Sequence, residues 1–135
     1  PDTIHTFIHR KVLIKIMNIA ICDDEILFTR ELSSLLTHWA EKNDFSLTLY
    51  PYSNGDDLLT ALRTIPVDLI FLDIIMPLNG IDTAREIRSM GLTVPVIFLT
   101  SSREFALDSY DVKAFHYLLK PVNTLKLFSV MDDFF

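Results

Sequence analysis

The stretch "ICDDE", residues 21–25, sets Asp23 and Asp24 side by side after an apolar run, and "LIFLD" places a further carboxylate, Asp73, at the end of another. Two acids about 5 Å apart repel by roughly 3 kcal/mol at an effective dielectric near 20, so such a pair beside a buried segment demands a cation. One acid of the cluster is accounted for by helix initiation, because Asp is a favoured N-cap and Glu a favoured first-turn residue. Glu25 takes that role, and the pair Asp23 and Asp24 is left over. Oxygen donors without His or Cys suit a hard divalent ion, and Mg²⁺ keeps several waters while using one or two protein carboxylates. Asp23 and Asp24 are the expected ligands, directly or through water. A carboxylate such as Asp73 can also act as a nucleophile and form an acyl phosphate. Two further apolar runs end in Thr100 and Ser101 and in Lys120 followed by Pro121. Lys120 would neutralise phosphoryl oxygens as a point charge, and Thr100 would donate a hydrogen bond to them.

These residues are far apart in sequence and need a frame to bring them together. Apolar runs recur at Asn18 to Cys22, Leu47 to Tyr50, Leu69 to Leu72, Val94 to Leu99 and Phe115 to Leu119, and they read as strands covered on both faces. Segments of helical period separate them. Phe28, Leu32, Leu35, Leu36 and Trp39 share one helix face, Leu58, Leu59 and Leu62 a second, and Ile81, Ala84 and Ile87 a third. A fourth helical segment, about Arg103 to Tyr110, is weakly periodic, and a fifth starts near Asn123 and runs to Phe135. Strands alternating with helices imply parallel order and right-handed crossovers, hence an α/β fold with a doubly wound five-stranded parallel sheet. Ligands of such sheets sit outside the carboxyl ends of the strands, where Asp23, Asp24, Asp73, Thr100 and Lys120 all fall. The second strand ends in "YPYSNG" and offers nothing comparable, so the fold alone does not require charge there.

Composition narrows the function further. A chain of 135 residues, half of them apolar and only three of them Gly, is one ordered domain able to bury a core without disulfides. The lone Cys22 excludes an internal disulfide and a Cys-based zinc site, which agrees with a cytoplasmic location. Cys22 reads as core and not as a redox sensor. The net charge of −6, with no basic run or basic-aromatic stripe, argues against direct nucleic-acid binding. No apolar stretch approaches the roughly 18 residues of a membrane span. Residues 1–16 carry Arg10, Lys11 and Lys15 and a single acid, Asp2, and their apolar run is too interrupted for a signal peptide. Met17 is the expected natural start, with residues 1–16 an N-terminal extension, either upstream sequence or a non-native segment, and 17–135 the functional domain. His5 and His9 have the spacing of helical metal ligands but no third partner nearby, so metal binding is not expected there.

Four motifs taken together, "ICDDE", "LIFLDIIMPLNGID", "PVIFLTSS" and "FHYLLKPV", resemble the receiver domain of two-component response regulators from Met17 onward. The resemblance implies the flavodoxin-like (βα)5 receiver fold. It implies that Asp73 is phosphorylated from a phosphohistidine of a sensor histidine kinase, with Thr100 and Lys120 binding the phosphoryl group. It implies Mg²⁺ held by Asp24 and Asp73, by Asp23 through water, and by the backbone carbonyl of Ile75. Tyr117 matches the family's switch aromatic, which swings inward when Thr100 moves toward the phosphate; plain strand packing is the alternative for it. Pro121 invites a cis Lys–Pro bond. Pro77 and Gly80 are expected to shape the loop after Asp73, the glycine by a backbone angle that other residues resist.

The stretch "SSREFALDSYDVKAFHYLLKPV" further resembles receivers of the LytR/AlgR type, which usually carry a separate LytTR DNA-binding domain. The expected output is therefore control of transcription through such a domain, here absent, with a homodimer on phosphorylation as an allowed assembly. Thr100 to Lys120 is shorter than in many receivers, so a short or irregular fourth helix is expected. The competing enzyme reading is a metal-dependent phosphohydrolase with Asp73 as nucleophile. Such phosphatases commonly place an Asp two residues later as general acid, where this chain has Ile75, and an apolar side chain cannot shuttle a proton. Ile75 and Ser102 are expected beside the phosphoryl group. With Ile75 unable to orient water, self-dephosphorylation is expected to be slow. His116 reads as a neighbour of Tyr117 on a partly exposed strand end and not as a catalyst.

Overall fold

A computed structural model describes residues 5–9 and 12–134, with side chains from Lys15 onward. The strands are β1 (His5–His9), β2 (Val12–Cys22), β3 (Phe45–Tyr52), β4 (Leu69–Asp73), β5 (Val96–Thr100) and β6 (His116–Leu119). Between them lie the helices α1 (Ile26–Lys42), α2 (Gly55–Ala61), α3 (Gly80–Ser89), α4 (Ala106–Asp111) and α5 (Thr124–Phe134). Strands β2 to β6 pair in parallel, in the spatial order β3-β2-β4-β5-β6. This is the expected five-stranded doubly wound sheet. The order reverses between β2 and β4, at the topological switch point where such sheets bind ligands.

The first strand is longer than expected. Its early part pairs antiparallel with β1, His9 facing Val12 and His5 facing Ile16. Lys15 and Ile16 also pair with Phe45 and Ser46 of β3, so β1 takes the edge of β2 that β4 occupies further along. His5 and His9 belong to β1 and not to a helix, and their side chains lie outside the described ones.

Period-two alternation divides the core between the two faces of the sheet. Ile19, Ile21, Leu69, Phe71, Ile97 and Leu99 face one way, packing with Leu32, Leu36 and Trp39 of α1 and Leu127, Val130 and Met131 of α5. Ala20, Cys22, Ile70, Leu72, Val96 and Phe98 face the other, against Leu58 of α2 and Ile81, Ala84 and Ile87 of α3. Both central strands, β4 and β5, are buried along their whole length. Trp39 is core, as its helical spacing indicated, and its indole N–H reaches Asp132 Oδ1 of α5 at 3.0 Å. Caps fix where two of the helices begin: Asn54 accepts the Asp57 N–H at 2.8 Å before α2, and Asn79 the Ile81 N–H at 2.7 Å before α3. The expected fourth helix is indeed short, a 3₁₀ turn at Arg103–Phe105 running into the six residues of α4. No described helix is long and apolar enough to cross a membrane.

Candidate functional site

The carboxyl ends of β2, β4, β5 and β6 bring Asp23, Asp73, Thr100 and Lys120 onto one rim. Each is placed by the step that ends its strand. The Asp23 N–H donates to the Tyr52 carbonyl at 3.0 Å, so the β2–β3 ladder continues one residue past β2 and delivers Asp23 to the rim. Its side chain turns back, Oδ1 accepting the Glu25 N–H at 2.8 Å. Asp73 is the last residue of β4, and its Oδ1 takes the Ile75 N–H at 3.3 Å. Lys120 follows β6, with its N–H on the Thr100 carbonyl at 2.8 Å, and the Lys120–Pro121 peptide bond is cis. Asp23 and Asp73 are each 3% exposed and Thr100 is 1% exposed, and Asp73 lines a cleft at the strand ends with Ser101, Lys120 and Pro121.

Charge in the site is arranged asymmetrically. The Lys120 Nζ stands 2.7 Å from Asp23 Oδ2, 2.9 Å from Glu25 Oε1 and 3.6 Å from Asp73 Oδ2. The ammonium also lies 4.3 Å from the ring centroid of Phe28, a cation–π distance. Burial acts to lower the Lys120 pKa, but the paired carboxylates of Asp23 and Glu25 and the charge of Asp73 outweigh it, and the net direction is upward. Lys120 is therefore charged at neutral pH. The Asp73 carboxyl is pushed up to about 6, first by burial and next by Asp23, with Lys120 and the Ile75 N–H pulling the other way. One ammonium does not satisfy this much negative charge.

The donor set fits a hard divalent ion on two counts. Ligand oxygens of Asp23, Asp24, Glu25 and Asp73 lie within 4.8 Å of one another, with no nitrogen or sulfur donor among them. Asp23 Oδ2 is buried and, although Lys120 Nζ is close enough for an ion pair, it receives no well-directed hydrogen bond. A buried carboxylate oxygen in that position is costly unless an ion completes it. Asp24 is exposed at the mouth. Ile75, whose carbonyl the family resemblance adds to the ligands, lines the cleft beside Asp73, the residue 52% exposed.

Two readings of the sequence change here. Glu25 begins α1, as expected, but its side chain caps no backbone N–H and pairs instead with Lys120. Its partner lies 95 residues away, so spacing within the motif held no signal for it. Gly80 has no positive φ; of the described glycines only Gly91 does. It is needed because a Cβ there would stand 2.1 Å from the Asp73 carbonyl oxygen and 2.8 Å from the Ile74 Cα. Close approach, and not backbone angle, is what the glycine provides. The Gly80 N–H meanwhile donates to the Ile74 carbonyl at 2.9 Å, packing the start of α3 onto the residue after Asp73.

On the far side of Thr100, its Oγ1 accepts the Ser102 N–H at 3.2 Å, and the Tyr117 hydroxyl donates to the Ser102 carbonyl. Burial pushes the Tyr117 pKa up, which keeps its proton on the hydroxyl. Ser101 borders the cleft. His116 is half-buried on β6 with Nε2 3.5 Å from Asp133 Oδ2, away from the rim carboxylates. Cys22 is buried, its thiol pushed up to about 12 by burial and then by Asp23, and its Sγ donates to the Asn54 carbonyl at 3.3 Å. A thiol so placed stays protonated and inert.

Comparison with known proteins agrees with the fold. Residues 19–132 match the family model described as the response regulator receiver domain. Over 109 residues the chain is 35% identical to the positive alginate biosynthesis regulatory protein of Pseudomonas aeruginosa, covering 80% of this chain and 43% of that protein. It is 37% identical to the sensory transduction protein LytT of Oceanobacillus iheyensis, covering 78% and 42% respectively. Both are regulators of the LytR/AlgR type that the sequence resembles. The chain thus spans less than half the length of these relatives. Among solved structures, the response regulatory domain of protein mrkE from Klebsiella pneumoniae superposes with a TM-score of 0.77 at 29% identity, over 87% of this chain and 94% of that one.

Proposed function

The chain belongs to the response regulator receiver domain family, and from that premise we propose that Asp73 is its phosphoacceptor and that the domain is a Mg²⁺-dependent switch in two-component signalling. The observation that carries this reading is the meeting of Asp73 with an ammonium and a second buried carboxylate: Lys120 Nζ lies 3.6 Å from Asp73 Oδ2, and Asp23, Asp24 and Asp73 converge at the same rim. In the transfer, an Asp73 carboxylate oxygen attacks the phosphorus of a phosphohistidine on a sensor histidine kinase. The P–O bond forms as the P–N bond breaks, the imidazole nitrogen keeps the electron pair, and nothing is oxidised or reduced. Lys120 and the Thr100 hydroxyl hold phosphoryl oxygens. Asp24 and Asp73, Asp23 through water and the Ile75 carbonyl would hold Mg²⁺, which would supply charge neutralisation at the transferring group.

The carboxyl must be ionised to attack. Its raised pKa of about 6 leaves Asp73 mostly anionic at neutral pH and favours reactivity above that value. Hydrolysis of the acyl phosphate returns inorganic phosphate and the free carboxylate. With Ile75 at the mouth in place of a polar side chain, no side chain at that position orients the attacking water, and the phosphorylated form is long-lived. A phosphoryl half-life of seconds counts against that part. Apart from this self-catalysed chemistry the domain has no enzymatic turnover; release of phosphate from small phosphate esters would favour the phosphohydrolase reading.

Thr100 and Tyr117 form the output side. Both address the Ser101–Ser102 loop, Thr100 through the Ser102 N–H and Tyr117 through the Ser102 carbonyl, so movement of Thr100 toward a phosphoryl group disturbs the hydrogen bond that holds Tyr117. The exposed Leu107 and Tyr110 of α4 lie just beyond that loop and are the contacts that change. The proposed receiver unit is residues 17–135, and among the described side chains its buried core starts at Met17. Output runs through a cytoplasmic transcription regulator with a LytTR DNA-binding domain and a homodimer formed on phosphorylation, this domain itself making no contact with nucleic acid. The test is intact mass after treatment with acetyl phosphate and Mg²⁺. A gain of one phosphoryl group, lost in Asp73→Asn, is expected; a gain that survives the substitution overturns the assignment.

A further inference from the structure

Lys120 does not rest on the residue it is assigned to assist. Its ammonium is closer to Asp23 Oδ2 and Glu25 Oε1, at 2.7 and 2.9 Å, than to Asp73 Oδ2, at 3.6 Å. Asp23 is one of the expected metal ligands; Glu25 lies in the same carboxylate cluster but is not among them. It begins α1 without capping it, and its side chain is 65% exposed. The residue is nonetheless fixed in place, because its backbone N–H is held at 2.8 Å by Asp23 Oδ1. Its carboxylate and the Phe28 ring, 4.3 Å from the ammonium, both contact Lys120 Nζ.

We propose that Glu25 is a positioning residue that parks the Lys120 ammonium on the Asp23 side of the site, and that phosphoryl transfer to Asp73 requires Lys120 to leave Glu25. The inference rests on the assignment of Asp73 as acceptor and Lys120 as phosphoryl ligand. With acetyl phosphate as donor, the Asp73 oxygen attacks phosphorus, the P–O bond to the acetyl group breaks and acetate departs with the electron pair. The negative charge of the phosphoryl oxygens then lies on the Asp73 side of the ammonium, and an ammonium still shared with Glu25 neutralises less of it. Exposure of Glu25 matters to this role. A solvent-screened ion pair is weak enough to be released, whereas a buried pair would hold Lys120 against the phosphoryl group.

A simpler effect of Glu25 would be repulsion of the anionic donor at the mouth of the site. Charge and reach separate the two, because Glu25→Asp keeps the charge and shortens the side chain by one methylene, whereas Glu25→Gln keeps the length and removes the charge. The experiment follows the initial rate of phosphorylation by acetyl phosphate and Mg²⁺ by intact mass, for each variant alone and combined with Lys120→Met. Both Glu25 variants are expected to react about two- to fivefold faster than the parent, the range set by the strength of an exposed ion pair. The gain is expected to vanish in the Lys120→Met background, a coupling that a purely structural role would not produce. A rate for Glu25→Asp equal to that of the parent overturns the proposal, as does an unchanged rate for Glu25→Gln or a gain that persists without Lys120. Asp73→Asn run in parallel separates the two levels: if it still gains a phosphoryl group, the acceptor assignment has failed, and if it does not while the Glu25 variants behave as the parent, only the role of Glu25 has.

Discussion

Asp68 and Asp73 stand at the two ends of β4, five positions apart, each 3% exposed. Asp68 precedes the strand. Its Oδ2 accepts the Asn18 N–H at 2.8 Å, and its own N–H returns a bond to the Asn18 carbonyl at 2.8 Å, so it ties the start of β4 to β2. Asp73 closes the strand beside Asp23, a second buried carboxylate, and its pKa is pushed up by burial and by that neighbour. The two residues differ in what faces them and not in how deeply they are buried. A buried acid met by a fitting donor and no like charge is a structural clasp; one met by another acid keeps a demand for cations, and that demand is the chemistry of the site.

Four substitutions and a change of pH bear on this contrast, and the largest effect is on phosphorylation itself. Asp73→Asn is expected to abolish phosphoryl incorporation from acetyl phosphate, while Asp68→Asn leaves it within about twofold of the parent, since the clasp lies at the other end of the strand. Loss of incorporation in both, with both variants folded by circular dichroism, would break the division between the ends. Next in size is the metal. Asp24→Ala is expected to weaken Mg²⁺ binding about tenfold or more, the scale of losses seen on altering the surroundings of a bound ion, as read by titration calorimetry; Asp68→Asn leaves it unchanged.

Stability effects are smaller. Gly80→Ala forces a Cβ against the Asp73 carbonyl and is expected to cost about 1–3 kcal/mol by denaturant unfolding, with slower phosphorylation because the acceptor's own backbone must shift. Asp68→Asn is expected to cost about 1–2 kcal/mol, the range for a buried hydrogen bond to a charged group. The smallest expected effect is a pH dependence. Folding raises the Asp73 pKa from 3.8 to about 6, so folding favours its protonated form. The stabilising contribution is fully present below pH 3.8 and is lost as pH rises through about 6. In metal-free buffer Asp73→Asn should therefore be more stable than the parent at pH 7, by about 1 kcal/mol after allowance for solvent screening, with the advantage fading toward pH 4. An advantage independent of pH would remove the electrostatic account of the contrast.

How much of this was legible in the sequence can be judged element by element. The buried strands β4 and β5 were readable as unbroken apolar runs, because a strand covered on both faces has no polar face to interrupt it. The acids, the hydroxyl and the lysine at the strand ends were readable because a charged residue directly after such a run breaks the local pattern. The antiparallel β1 went unassigned. A strand at a sheet margin is specified by its partner, and the segment around Arg10 and Lys11 has no strong period of its own. Gly80 was singled out correctly for the wrong reason: a glycine in a motif shows that some side chain is forbidden, but only the packing of α3 onto the Asp73 carbonyl shows which atom forbids it.

The amino-acid sequence by itself determined the α/β architecture, the identity of the rim residues and the donor types on which the proposed ion and phosphoryl chemistry rests, because these follow from local periodicity and residue type. Tertiary structure alone decided which carboxylate Lys120 leans on, why Asp73 and not Asp68 carries an unmet demand, and how Thr100 and Tyr117 come to share one loop carbonyl and amide. Those outcomes are distances between segments as much as 95 residues apart, and Coulomb and hydrogen-bond energies change with such distances over a single ångström.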